Sequence, residues 1–396
     1  MIEIMNTLKA GFVKYFGEQK TTAFFSPGRV NLIGEHTDYN GGHVFPCAIS
    51  LGTYALVAPR QDMKTRAISL NYEKDGIKEF SMENLSYDEA MGWANYIAGV
   101  VKVFEDAGMK ATCGFDIAIY GNLPGGAGLS SSASLEVLMG VILKEFCGFD
   151  IEMIEIVKLG QKAENQFVGV NCGIMDQFAV GMGKRDCAIL LDCNTLKYRY
   201  SKLDLRDACI VITNTNKPHS LNDSEYNLRR QQCEHALKQL QQRLDVTSLG
   251  DLANPEFDFN AELVTDEVER KRAHHAVYEN RRTLTAVEAL ELNDIQRFGE
   301  LMRASHESLR DDYEVTCKEL DTLAELAWQQ PGVIGSRMTG GGFGGSTVSI
   351  VKTDAVEDFK NVIGKKYTEI IGYAPSFYVA DISDGTRKLS EDELKG

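Results

Sequence analysis

Apolar and polar positions along this chain follow two different periods. In residues 115–120, Phe115, Ile117 and Ile119 alternate with Asp116 and Ala118, the two-residue period of a short strand. Apolar runs of β type precede it at 43–58 and 66–72, and further strands are predicted over 187–193 and 208–213. Between these the period lengthens. Leu135, Leu138, Met139, Ile142, Leu143 and Phe146 fall at helical spacing, and Gly148 is placed to end that helix. A second helix is expected over about 152–168 and a third from Met175. From about 224 helices take over, at 224–244, 266–292, 294–311 and 315–329, and Asn254-Pro255 to Phe259 is expected to be an exposed connection. The chain closes on strand 346–351, helix 354–371 and strand 376–382, a split α+β sandwich. The best boundary lies between 200 and 225, giving two domains, 1–205 and 206–396.

Composition narrows the class of protein. A length of 396 residues leaves ample room for a core, and 43% hydrophobic with 25% charged residues is ordinary for a globular protein. The net charge of −15 argues against a nucleic-acid backbone or an anionic membrane as main partner. It does not exclude a nucleotide held in a local positive pocket. The nine cysteines include no C-x-x-C pair, so reduced thiols are expected rather than zinc or disulfides. No basic leader followed by an apolar run opens the chain, and no apolar run reaches membrane-spanning length. A cytoplasmic, monomeric protein is the expectation.

Four segments carry chemistry. Residues 28–42, GRVNLIGEHTDYNGG, gather Arg29, Glu35, His36, Thr37 and Asp38 between glycines. A hydroxyl-rich ligand needs that mixture of acceptors, imidazole and cation, because each hydroxyl both donates and accepts. Residues 121–132, GNLPGGAGLSSS, follow a strand and open a helix, so backbone N–H groups and the helix N-terminus can converge on an anion. The three serines can meet phosphate oxygens or a magnesium ion, or Ser130 can simply cap the helix. The P-loop pattern is absent, so any nucleoside triphosphate is held differently. Glu164 and Asp176 bracket a turn, where one carboxylate could hold a metal and the other orient or deprotonate a hydroxyl. Asp176 could equally cap its helix. Last, 340–345 holds five glycines in six residues directly before an apolar strand, which suits close backbone packing against a ligand or another loop.

Taken together these segments resemble the GHMP small-molecule kinases. Residues 123–134, LPGGAGLSSSAS, look like that family's ATP loop, 338–346 like its C-terminal glycine motif, and 28–42 like the sugar motif of its galactokinase branch. The resemblance implies an α+β fold with an N-terminal domain like domain 2 of ribosomal protein S5, a ferredoxin-like C-terminal domain, and an active site in the cleft between them. It implies ATP-dependent phosphorylation of the anomeric hydroxyl of galactose, with Mg²⁺ as cofactor. Glu35, His36, Thr37 and Asp38 match sugar contacts, with Gly173 near the reacting end and Tyr226 closing over the sugar. Asp176 matches a catalytic base, with Arg29 beside it. Ser132 and Glu164 match magnesium ligands, and Gly126, Ala127, Gly128, Leu129, Ser130, Ser131 and Ser132 the phosphate loop. Ser69 matches a nucleotide contact, and Trp93 either an aromatic beside the adenine or a core residue. Two rivals stand beside this reading: a kinase for a related sugar, and a non-catalytic sugar sensor built on the same fold.

Overall fold

The computed structural model describes residues 1–205, 207–217 and 222–395. Strands β1 (Thr22–Asn31), β2 (His43–Val44), β3 (Pro46–Pro59), β4 (Lys64–Ser69), β5 (Lys78–Ser81) and β6 (Phe115–Gly121) come from the first third of the chain. Later come β7 (Cys187–Asp192), β8 (Tyr198–Lys202), β9 (Ala208–Asn214), β10 (Val333–Thr339), β11 (Ser346–Lys352), β12 (Ser376–Ala380) and β13 (Arg387–Lys388). A six-stranded sheet has the order β13-β1-β3-β6-β4-β5, and a small one the order β2-β7-β8.

The long apolar run of β3 has a packing reason. Ala55 and Val57 face one core with Phe115, Ile117 and Ile119, while Tyr54, Leu56 and Ala58 face a second one. A strand buried on both faces has no polar period, and each fully buried large side chain contributes roughly 1.5–3 kcal/mol. Helix α1 (Ile2–Phe16) covers the second face through Met5, Leu8 and Phe12. Helices α2 (Ala94–Asp106) and α3 (Ser131–Cys147) cover the first, the latter through the predicted stripe Leu138, Met139, Ile142 and Leu143.

The second large sheet runs β10-β11-β9-β12, all antiparallel. One face packs Ile210, Ile212, Val348 and Ile350 against Ala286, Val287, Phe298 and Met302. The other packs Val211 and Val351 against Leu323, Phe359, Ile363 and Tyr367. The mixed α/β architecture is thus the expected one. Arg387–Lys388, the last strand in sequence, returns to pair with Phe24 and Phe25 of β1, so the chain end is stitched to the first sheet.

Several local expectations need correction. The segment expected to be a connection forms a helix, Asn254–Asn260. Pro255 sits in its first turn, where the missing N–H costs nothing, and buried Phe257 anchors it while Phe259 stays 74% exposed. The helix expected over 152–168 is α-helical only over α4 (Met153–Ala163), and Glu164–Val168 widens into a π turn ended by left-handed Gly169. Such a turn re-aims the side chain where it starts, and that side chain is Glu164. Among the described residues no helix is long and apolar enough to cross a membrane.

Candidate active site

A break in one strand starts the site. The β1–β3 register shifts between Pro27 and Arg29, at a point where Gly28 leaves no room for a side chain: a Cβ there would lie 2.7 Å from the Leu129 carbonyl. The bulge turns Arg29 out of the ladder. Its guanidinium, buried among protein atoms, grips Asp176 through Nε–Oδ1 at 2.8 Å and Nη2–Oδ2 at 2.9 Å, while Nη1 donates to the Gly128 carbonyl at 2.7 Å. Ser130 Oγ donates to Asp176 Oδ2 at 2.6 Å. Ser130 makes no side-chain cap on α3; it sits at φ 63°, a costly conformation for a serine, and that conformation accompanies a hydroxyl aimed at Asp176. Asp176 itself, in the first turn of α5 (Met175–Met182), keeps a side-chain exposure of 30% on the cavity side.

That cavity holds about 310 Å³, at the lower end of small-molecule sites. Glu35, His36, Asp38, Gly173, Asp176 and Tyr226 all line it, together with Arg29, Glu164 and the glycines 340–345. Glu35 is buried, and its Oε1 accepts from the Gly340 N–H at 2.8 Å. Burial, then the charges of Asp176 and Glu35, push the Asp38 carboxyl up to about 7. Burial pushes His36 down to about 3, so its imidazole is neutral. Thr37 does not line this cavity. Its hydroxyl donates to the carbonyls of Gly34 and His43, at 2.9 and 2.7 Å, and closes the turn that presents its neighbours.

A second cavity, of about 630 Å³, opens on the other side of the 121–132 loop. Ser69, Trp93, Gly125, Ser131 and Ser132 line it. Trp93 also packs on the main core, and its buried indole N–H has no partner among the described residues. Ser132 belongs to this second cavity and Glu164 to the first, and the Ser132 hydroxyl opposes the upward shift of the Glu164 carboxyl. Between the cavities, Gly126 and Gly128 adopt φ 69°, while the side chains of Ala127 and Leu129 anchor in the core. The C-terminal glycines press on this loop: Ser346 Oγ donates to the Ala127 carbonyl at 2.8 Å, and a Cβ on Gly340 would lie 3.0 Å from the Gly128 carbonyl.

Sequence reasoning missed the residues behind this surface. Gln177 Nε2 donates to Glu164 Oε2 at 2.5 Å and to Glu136 Oε2 at 2.9 Å. Glu136 is fully buried, its Oε1 has no partner among the described residues, and burial followed by the charge of Glu164 raises its carboxyl far above the usual range. Burial and then Asp176 raise Glu164 as well. The available signal for Glu136 was a lone carboxylate inside the apolar run from Leu135 to Leu143.

Comparison with known proteins places this fold among the GHMP kinases, ATP-dependent phosphotransferases. Models of the GHMP kinase N-terminal domain match residues 95–184 and of the C-terminal domain residues 286–369, and a galactokinase galactose-binding signature matches residues 10–59. The chain is 58% identical to a galactokinase of Clostridium beijerinckii, over 98% of this chain and all of that one. It is 53% identical to a galactokinase of Bacillus subtilis, over 96% and 98% respectively. The crystal structure of Lactococcus lactis galactokinase complexed with galactose superimposes with a TM-score of 0.95 at 50% identity, covering 98% of this chain and all of that one. Methanococcus jannaschii mevalonate kinase, 16% identical with a TM-score of 0.66 over 93% of this chain and all of the other, shares the fold. The chain belongs to the galactokinase family.

Proposed function

We propose that the protein transfers the γ-phosphate of ATP to the anomeric hydroxyl of α-D-galactose, giving α-D-galactose 1-phosphate and ADP, the entry step of galactose catabolism. The observation that carries this reading is Asp176: a carboxylate gripped by Arg29 and Ser130, exposed only towards a cavity whose other walls are sugar-type polar groups. Galactose occupies that cavity, with Glu35, His36 and Asp38 bonding its hydroxyls, Gly173 leaving room beside Asp38, and Tyr226 closing over the ring. ATP lies across the loop, its base in the second cavity near Ser69 and Trp93. Its phosphates run over residues 126–132 at the N-terminus of α3, where N–H groups and the helix dipole favour negative charge.

Phosphoryl transfer asks the protein mainly for position and charge stabilisation. Asp176 orients the anomeric hydroxyl and takes its proton. Arg29 keeps Asp176 fixed in direction and places a cation beside the transferring phosphate. The residues present fit a magnesium ion. Ser132 and Glu164 offer a hydroxyl and a carboxylate that influence each other, in a spot where crowded carboxyls are already held above their usual range. Among the described residues no group of three or more histidine, cysteine or acidic side chains could hold a metal unaided. Magnesium suits such a site, since it takes one or two protein ligands and fills the rest with phosphate and water. When bound it would neutralise charge on the β- and γ-phosphates. Domains 1–205 and 206–396 would form the two sides of the cleft, with the 387–388 strand reaching back to the first, and nine free thiols suit a reducing cytoplasm.

The test is a panel of sugars incubated with ATP and Mg²⁺, read by ADP release and by the position of the phosphate on the product. Galactose should be used far better than N-acetylgalactosamine, galacturonate or arabinose. Better use of one of those three would transfer the assignment to that sugar, and release with none would point to a sensor.

A further inference from the structure

The residue after Asp38 is part of no assignment so far. Tyr39 Oη lies 2.7 Å from His36 Nδ1 and 2.8 Å from Tyr313 Oη, and Tyr313 Oη lies 3.2 Å from Cys233 Sγ. This hydrogen-bonded chain runs from the inner face of the sugar cavity into the core, where Tyr313 and Cys233 are buried. At its outer end His36 Nε2 is buried and, among the described residues, makes no hydrogen bond of good geometry, although the Gly341 backbone lies beside the ring as an acceptor that favours a proton there. His36 is held there with φ 61°, and the side chain of Asn40 donates back to its carbonyl at 2.7 Å. A buried polar atom without a well-made hydrogen bond, on a residue that lines a cavity, is a candidate ligand contact.

We propose that Tyr39, backed by Tyr313 and Cys233, is a positioning residue that fixes the proton of His36 on Nε2, making His36 a hydrogen-bond donor to one galactose hydroxyl. The inference rests on the reading of this cavity as the sugar site. A neutral imidazole has one donor and one acceptor nitrogen, and the bond at one decides the role of the other. With Tyr39 donating to Nδ1, each hydrogen in the chain finds an oxygen or nitrogen acceptor: Cys233 to Tyr313, Tyr313 to Tyr39, Tyr39 to His36. Run the other way, the chain would end with the Tyr313 hydroxyl donating to sulfur, a weak acceptor. The reverse would also set a bare Nε2 lone pair beside the Gly341 backbone acceptor, at the edge of a cavity already lined by the acidic residues Glu35, Asp38 and Asp176. Those acceptors take up hydroxyl protons, and what a sugar oxygen still needs is a donor. The protons stay on the chain, because burial raises Tyr39 and Tyr313 well above the usual phenol range and Cys233 to about 11, and keeps the imidazole neutral.

A double-mutant cycle tests this: galactose affinity by calorimetry for the full chain, His36→Ala, Tyr39→Phe and the double variant, each confirmed folded by its thermal melt. Tyr39→Phe should weaken galactose binding roughly tenfold by leaving a buried ring nitrogen unpaired and the tautomer free. In the His36→Ala background the same change should cost nothing further. Across the four mono-deoxygalactoses, the loss caused by Tyr39→Phe should vanish for the one sugar whose binding His36→Ala also leaves untouched. Losses that multiply in the double variant would overturn the inference and leave the sugar site standing. Unaltered galactose affinity in His36→Ala would instead remove the sugar site itself. Should Tyr39→Phe not fold, Tyr313→Phe interrupts the same chain one link further in, and the same coupling to His36 is required of it.

Discussion

Asp38 gives a prediction in which stability and binding pull in opposite directions. Its carboxyl is raised to about 7, first by burial and then by Asp176 and Glu35, whereas in the unfolded chain it titrates near 3.8. A raised carboxyl means that the folded apo protein holds a proton that the unfolded chain gives up. The associated stability is fully present below about pH 4 and is lost as pH rises through 7. Between pH 5 and pH 8 the unshielded loss is about 2.7 kcal/mol, two units at 1.36 kcal/mol each. One side of Asp38 faces the cavity, so solvent screening trims this to about 1–2 kcal/mol. Asp38→Asn keeps the volume and removes the titration. Urea unfolding of the apo protein at pH 5 and pH 8, without sugar or nucleotide, should therefore show the variant gaining about 1–2 kcal/mol on the wild type as pH rises. Galactose affinity of the same variant should fall, by roughly tenfold, because a carboxylate acceptor for a sugar hydroxyl is gone. Parallel pH profiles for the two proteins would refute the burial argument, and unchanged galactose affinity would take Asp38 out of the sugar site.

Two further substitutions probe other walls of the cleft. Gly173→Ala places a Cβ 1.8 Å from Asp38 Oδ2, so Asp38 must swing away; galactose affinity should drop about tenfold or more while ATP affinity, measured by the same calorimetry, holds. Glu164→Gln keeps the size of a side chain that meets Ser132 and Gln177 but removes its charge; the Mg²⁺ concentration for half-maximal rate should rise, and Mn²⁺ binding in the presence of ADP should weaken in parallel.

The parts of this molecule legible in the sequence are those whose causes are local. The stripe from Leu135 to Phe146 declares α3 because each residue meets the same core at helical spacing. Glu35, His36 and Asp38 declare a site because one turn brings them together. The 254–260 helix was hidden because it is two turns long and anchored by one buried apolar residue, Phe257, while Phe259 points to solvent. Helix α1 went unassigned for a related reason: it takes its shape against strands β3 and β6, far away in sequence. The same holds within the site. Gln177 reaches Glu136 across 41 residues, and Tyr39 reaches Tyr313 across 274, distances over which no spacing rule operates. Ser130 is the sharpest case. As a serine before a helix it invites reading as a cap or a phosphate ligand, yet its hydroxyl is committed to Asp176, 46 residues on.

Asp176 is where the account is most exposed. Its carboxylate receives Arg29 twice and Ser130 once, and its open side faces the cavity assigned to the sugar. Asp176→Asn retains the volume and one carbonyl acceptor for these donors but cannot take a proton. The decisive measurement is kcat for galactose phosphorylation at saturating ATP, Mg²⁺ and sugar, beside calorimetric affinities for galactose and ATP and a thermal melt. A base at this position predicts a folded variant that binds both substrates with turnover lower by about 10²–10⁴-fold. Turnover close to that of the wild type in a folded variant would contradict the account, leaving Asp176 only the lesser role of tying α5 to Arg29.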